Sequence, residues 1–254
     1  MKVNRGTILI ETIHECCPDA LYIFTSSDLV YDGEAAPYEV LTDGAAHIPK
    51  PINDYGLSKL SGEEAIKSTL TKYIILRLSN MIGPKYIYRP NGAKFLQFLY
   101  ESAAERRYVG LRFDEIRSFV FVSDVNDVII KAIENFFDFN CGSDSSSDNS
   151  SSGNIFNKVY NVGGADRLSR LNLAEIVAEA MGISLIVDSA RNPHPETTFS
   201  NSWRVYRQSN QECILQTGVL NPRDVSMDSS TTEKVFRVRF KKMNDVIPRL
   251  LSKY

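Results

Sequence analysis

Tyr55 and Lys59 stand four residues apart in the run NDYGLSKLSGEEAI, where Asn53 or Asp54 can cap a helix reaching to about residue 68. On a helix that spacing puts both side chains on one face. A phenol can exchange a proton with a carbonyl oxygen. A neighbouring ammonium lowers the phenol pKa from about 10 toward working pH. Upstream, the apolar run 21–24 leads into Thr25, Ser26, Ser27 and Asp28. A serine at such a strand end can hold the carbonyl oxygen while the tyrosine gives or takes the proton. The chemistry these types point to is proton transfer to a carbonyl. The Tyr-x-x-x-Lys spacing alone is a weak signal, because an exposed helix face produces it by chance. The flanking segments give it weight.

The elements that must position these residues read as alternating strands and helices. Residues 7–14 are the end of an amphipathic helix, and a strand follows at 21–24. Between Tyr31 and Asn53, Gly33, Pro37, Gly44, Pro49 and Pro51 mark loop. Residues 72–78 (KYIILRL) are apolar but for Lys72 and Arg77, as in a parallel strand buried on both faces. They run into Ser79-Asn80, at the sheet edge where open α/β sheets bind ligands. Further helices are expected at 93–106, from Asp124 or Asn126 to about 137, at 173–181 and at 244–252. Further strands are expected at 119–122, 158–162 and 185–187, and residues 190–222 show little pattern. The alternation predicts an α/β fold with a parallel sheet. Residues 142–153, a Ser/Asp-rich stretch with nothing to bury, read as a disordered surface insertion.

A chain of 254 residues with 43% hydrophobic content can bury a sizeable core in one domain, or one with a small appended lobe. Its net charge of −2 gives no footprint for nucleic acid, and no apolar run approaches a membrane span. Cys16, Cys17, Cys141 and Cys213 form no CxxC pair and read as reduced thiols in a cytoplasmic protein. His14, His47 and His194 are scattered, without metal-ligand spacing.

Six segments carry a resemblance that covers nearly the whole chain. Residues 26–33 (SSDLVYDG) and 55–63 (YGLSKLSGE) resemble S-[ST]-D-x-V-[FY]-D-G and Y-G-x-[ST]-K-x-x-G-E of extended short-chain dehydrogenase/reductases. Within these they look like the dTDP-4-dehydrorhamnose reductase-like (RmlD-like) group. That group also contains the regulatory β subunit of methionine adenosyltransferase. Residues 76–84 (LRLSNMIGP), 117–125 (RSFVFVSDV) and 160–164 (YNVGG) are similar to later segments of the same families, as is 222–228 (PRDVSMD). Asn80 departs from the aromatic usual at that point in bacterial members, which leaves open which keto sugar the resemblance implies.

The resemblance implies an incomplete Rossmann-like, doubly wound parallel sheet with a small C-terminal substrate lobe. It implies NAD or NADP as cofactor and a nucleotide-linked or related keto sugar as the small-molecule substrate. Ser27, Tyr55 and Lys59 would be catalytic. Ser26, Tyr55, Lys59 and Ser79 would touch the cofactor. Leu29, Asn80, Arg117 and Arg223 would face substrate, with Arg117 suited to a phosphate. Asp124 is expected to cap the helix that follows it, and the glycines of 160–164 to serve packing. The partner expectation is a homodimer or, in the regulatory variant, a synthetase. No G-x-x-G-x-x-G or G-x-G-x-x-G run for a pyrophosphate is present, and the 21–24 strand begins about twenty residues from Met1. The expectation is therefore a chain lacking the family's first third, with an open edge at that strand.

Overall fold

In the computed structural model, which describes residues 5–40, 47–84, 95–140, 154–192 and 201–252, the central strand is β2 (Tyr73–Leu78). It is buried along its whole length. Its side chains alternate between two cores. Tyr73 and Ile75 pack with Ile10 and Ile66, from helices α1 (Arg5–Cys16) and α2 (Asp54–Thr69). Ile74, Leu76 and Leu78 pack with Val125, Val128 and Phe236, from α4 (Val122–Asn140) and α7 (Ser230–Phe236). Each fully buried aliphatic side chain contributes about 1.5–3 kcal/mol, so a strand covered on both faces anchors the fold. β2 pairs in parallel with β1 (Tyr22–Ser27) on one side and β6 (Lys158–Val162) on the other. Helices on both faces of a parallel sheet make the doubly wound arrangement that was expected.

A second parallel sheet has the order β4-β8-β7: β4 (Val109–Arg112), β8 (Ser202–Gln208) and β7 (Ser184–Asp188). Trp203 and Val205 of β8 are fully buried among side chains of α3 (Phe95–Ala104), α5 (Arg170–Ala180) and α8 (Met243–Leu251). The indole N–H of Trp203 donates to Arg107 O at 2.9 Å, so its polar atom is satisfied. A short parallel pair joins β3 (Met81–Ile82) to β5 (Val120–Phe121).

Residues 190–222 hold more structure than their pattern suggests: β8 and helix α6 (Asn210–Thr217). In β8 the inward Trp203 and Val205 alternate with half-buried Arg204 and Tyr206, a period of two masked by the arginines. α6 carries a capping box, Ser209 with Glu212, and ends at Gly218 in the left-handed region (φ +69°). Asp124 does not cap α4, which begins at Val122. Its carboxylate instead accepts Lys241 N at 2.8 Å and pairs with the Lys241 amine, pinning the segment before α8. Gly164 does serve packing, since a Cβ there would lie 1.8 Å from Phe119 O. The insertion expected at 142–153 lies outside the described residues. Among those residues Cys16, Cys17 and Cys213 are free thiols, and no helix is long and apolar enough to cross a membrane.

Candidate active site

Asn53 caps α2, its Oδ1 accepting Gly56 N at 2.8 Å. Gly56 lets the helix press onto the chain leaving β1, since a Cβ there would lie 2.0 Å from Leu29 O. That contact sets Tyr55 and Lys59 beside the end of β1. The Lys59 amine donates to Thr25 O at 2.9 Å. It lies 5.8 Å from the Tyr55 ring centre and 5.2 Å from that of Phe24. Tyr22 N bonds Lys72 O on β2, so by strand alternation the backbone groups of Ile23, Thr25 and Ser27 point to the other edge of β1. No described strand covers that edge. Lys59 therefore occupies an otherwise unpaired edge carbonyl. Tyr55 is 55% exposed, and its hydroxyl makes no hydrogen bond among the described residues.

The serines are buried and engaged with acids. Ser26 Oγ donates to Glu63 Oε1 at 2.6 Å, and Glu63 accepts two bonds from Arg77, at 3.0 Å from Nε and 2.7 Å from Nη2. Glu63 is fully buried. Burial opposes its ionisation, but the Arg77 guanidinium outweighs burial and holds its carboxyl below the usual carboxylate range. The chain of bonds continues from Arg77 Nη1 to Tyr31 OH (2.9 Å), and from Tyr31 OH to Asn161 Oδ1 (2.8 Å). Ser27 Oγ donates to Asp28 Oδ1 at 3.1 Å and accepts Leu29 N at 3.2 Å. Ser79 Oγ donates to the other Asp28 oxygen at 2.9 Å.

Tyr55 and Lys59 thus lie together beside β1, the strand that ends at Ser27, and among the described residues no hydrogen bond links any two of the three. Catalytic hydrogen bonds often tighten only with substrate in place. Leu29 is half-buried against Gly56. Asn80 has an exposed side chain, while its carbonyl accepts Val120 N at 3.1 Å. Arg117 is 3% exposed, and its guanidinium serves internal acceptors: Ile116 O (2.8 Å), Pro222 O (3.2 Å) and Glu115 (3.2 Å). Arg223 is exposed and lines an open cleft of about 820 Å³ with Asp32, Lys50, Ile52 and Ile214; Ser27, Tyr55, Lys59 and Asn80 do not line it. Glu63, Arg77, Tyr31 and Asn161 went unassigned in the sequence reading. The visible signal was the buried acid closing the Y-G-x-[ST]-K-x-x-G-E run.

The fit to a nicotinamide cofactor can be judged from unused hydrogen-bonding capacity. Lys59 spends one of its three donors on Thr25 O, which leaves two for sugar hydroxyls, and the Tyr55 hydroxyl is open. Those two residues fit the ribose-nicotinamide end of such a cofactor. The hydroxyl protons of Ser26 and Ser79 are already committed to Glu63 and Asp28.

A parallel sheet covered by helices on both faces defines a Rossmann-like α/β protein. More narrowly, the chain belongs to the RmlD substrate binding domain family, whose profile matches residues 9–253. Methionine adenosyltransferase 2 subunit beta of Xenopus laevis is 39% identical over 64 residues, 25% of this chain and 18% of that protein. The probable low-salt glycan biosynthesis reductase Agl14 of Haloferax volcanii is 40% identical over 67 residues, 25% of this chain and 20% of that protein. The aligned stretches thus span about a fifth of these relatives. The solved dTDP-4-dehydrorhamnose reductase of Bacillus anthracis, in complex with NADP, superposes with a TM-score of 0.70 at 18% identity, covering 98% of this chain and 70% of that one. At that identity the likeness is one of fold. Other solved chains of this fold hold NAD.

Proposed function

We propose that this protein is a nicotinamide-dependent reductase, or an epimerase using the same residues, that acts on a nucleotide-linked keto sugar. The observation that carries the reading is the Lys59 amine bonded to Thr25 O of β1, the strand that ends at Ser27, and lying beside the Tyr55 ring, with no hydrogen bond on the Tyr55 hydroxyl among the described residues. A bound NAD or NADP would supply the hydride. Tyr55 gives the proton to the carbonyl oxygen. Lys59 donates to the ribose. Ser27 hydrogen-bonds the carbonyl oxygen. In this reading Asn80, which is exposed, meets a sugar hydroxyl, and Arg223 contacts a part of the substrate remote from the reacting carbonyl. Arg117 is better suited to positioning, since its donors already face Glu115 and backbone carbonyls. Exposed free thiols at Cys16 and Cys17 suit a reducing compartment such as the cytoplasm.

The test is NADPH or NADH oxidation by the purified protein with dTDP-4-dehydrorhamnose and other nucleotide-linked 4-keto sugars. Turnover is expected in the wild type. In Tyr55→Phe it should fall by about 10²–10⁴ with folding intact, because loss of a general acid costs that much. Near-normal kcat in the variant would remove Tyr55 from the mechanism. The second reading is a non-catalytic regulatory subunit, favoured by the 39% identity to the methionine adenosyltransferase subunit. It predicts co-purification with a synthetase, and no ketone-dependent oxidation of NADPH or NADH.

A further inference from the structure

Asp28 is 2% exposed and sits directly after Ser27 in the turn Asp28–Val30. Its two oxygens take the hydroxyl protons of Ser27 (3.1 Å) and Ser79 (2.9 Å). The charged groups facing it are Arg117, whose Nε lies 3.9 Å away, and Glu115, which Arg117 also engages at 3.2 Å. Arg117 is thus shared between two acids, and Arg112 and Arg170 are turned to Glu115. Asp28 is left with one distant half-share of a cation.

This arrangement has a consequence for Ser27. A hydroxyl has one proton and two lone pairs. Ser27 spends its proton on Asp28 and one lone pair on Leu29 N. What it has left for a ligand is a single acceptor position. A ketone oxygen needs a donor, so in this state Ser27 is matched to an alcohol and mismatched to a ketone. With a proton on Asp28 Oδ1, the oxygen that faces Ser27, the direction reverses. The carboxylic acid donates to Ser27 Oγ, and the serine O–H turns to the ligand.

We propose that Asp28 is a positioning residue whose protonation decides whether Ser27 offers a ligand a donor, suited to a ketone, or an acceptor, suited to the alcohol formed from it. No covalent bond changes at either residue; one proton is exchanged between Asp28 and solvent, and the Ser27 hydroxyl rotates. The effect on turnover rests on the reading of Ser27 as the group that holds the carbonyl oxygen. The effect on Asp28 itself does not. Burial pushes the Asp28 carboxyl above its ordinary range, and the Arg117 charge and the two serine bonds offset burial only in part. The protonated form is thereby reached at a milder pH than for an exposed aspartate.

Two measurements on the full chain test this. The first is carboxyl ¹³C NMR titration of Asp28 in the wild type and in Ser27→Ala and Ser79→Ala. The Asp28 midpoint should lie above the ordinary aspartate value and move further up in each variant, because each removes a donor to the charged form. A midpoint in Ser27→Ala equal to that of the wild type would overturn the proposal, since Ser27 would not then be bonded to Asp28. The second is the pH profile of kcat/KM for NADPH- or NADH-dependent reduction, measured with dTDP-4-dehydrorhamnose and the other nucleotide-linked 4-keto sugars of the assay above. In the wild type it should fall as Asp28 ionises. In Asp28→Asn, which cannot ionise, that limb should vanish while KM for the cofactor stays the same. A limb unchanged in Asp28→Asn would also overturn the proposal. Absence of wild-type turnover at every pH would sink the reductase reading instead, and the NMR titration would still decide the role of Asp28.

Discussion

Glu63 shows how much a single side chain can commit. It lies one turn beyond Lys59 on α2, fully buried, and its two oxygens hold Ser26 and both faces of the Arg77 fork. Removing one partner of a buried ion pair costs about 3–5 kcal/mol, because the other charge is left without compensation. Glu63→Gln keeps the shape and loses the charge. Its melting temperature should fall by about 2–4 °C for each kcal/mol lost, the scaling for a chain of this size. Pairing it with Arg77→Met should recover part of the loss, since no lone guanidinium then stays buried. A double variant less stable than the single one would show that the network is held by packing and not by charge.

At the scale of elements, two contacts fix α2 against β1. The first is Gly56 on Leu29 O, backbone against backbone. Neither side can yield as a flexible side chain would. Gly56→Ala should cost roughly 1–3 kcal/mol or more, read as a lower urea midpoint at unchanged slope. It should also displace Tyr55, so activity should fall further than stability accounts for. An unchanged midpoint would mean that α2 can lift away freely. The second contact is Lys59 on Thr25 O at the uncovered edge of β1. Lysine is one of the residues that blunt open edges against pairing with other chains. Lys59→Met should therefore raise self-association, seen as a concentration-dependent shift in size-exclusion chromatography. Identical elution of variant and wild type would show that the edge is guarded by something else.

The molecule as a whole carries buried acids whose pKa values are moved in opposite directions, and this shapes its stability against pH. Burial works against the charge of both Glu63 and Glu115, yet Arg77 in one case and Arg117, Arg170 and Arg112 in the other hold them below the unfolded value of 4.5. Stability from these two is present above about pH 4.5 and is lost as pH falls through their lowered values. Asp28 is raised above its unfolded value of 3.8, chiefly by burial. Its contribution is full below that value and is lost as pH rises through the folded one. Melting temperature should therefore fall steeply on acidification below about pH 4.5, and Glu63→Gln should flatten that limb. Asp28→Asn should gain on the wild type as pH rises. Parallel melting curves for all three across the acid range would contradict these assignments.

The central strands and the Tyr55/Lys59 pair were legible without coordinates. Residues 73–76 announced β2 by a run of apolar side chains, and Tyr55 with Lys59 announced one helix face. These are local patterns, set by periodicity within a few residues. β8 and α6 were legible in principle, through Trp203/Val205 alternation and the Ser209–Glu212 box, but arginines on the outer face of β8 blurred the signal. Hydrogen-bond partners were not legible. Ser26, Ser79 and Arg117 read as ligand-facing, and only the fold shows them turned to Glu63, to Asp28, and to Glu115 with backbone carbonyls. The reason is distance along the chain. Ser26 meets Glu63 across 37 residues, Ser79 meets Asp28 across 51, and Tyr31 meets Asn161 across 130. A buried polar group must be satisfied by whatever the packing brings within about 3 Å. The sequence by itself therefore determined which residues could do chemistry, and the tertiary structure decided which of them are free to do it.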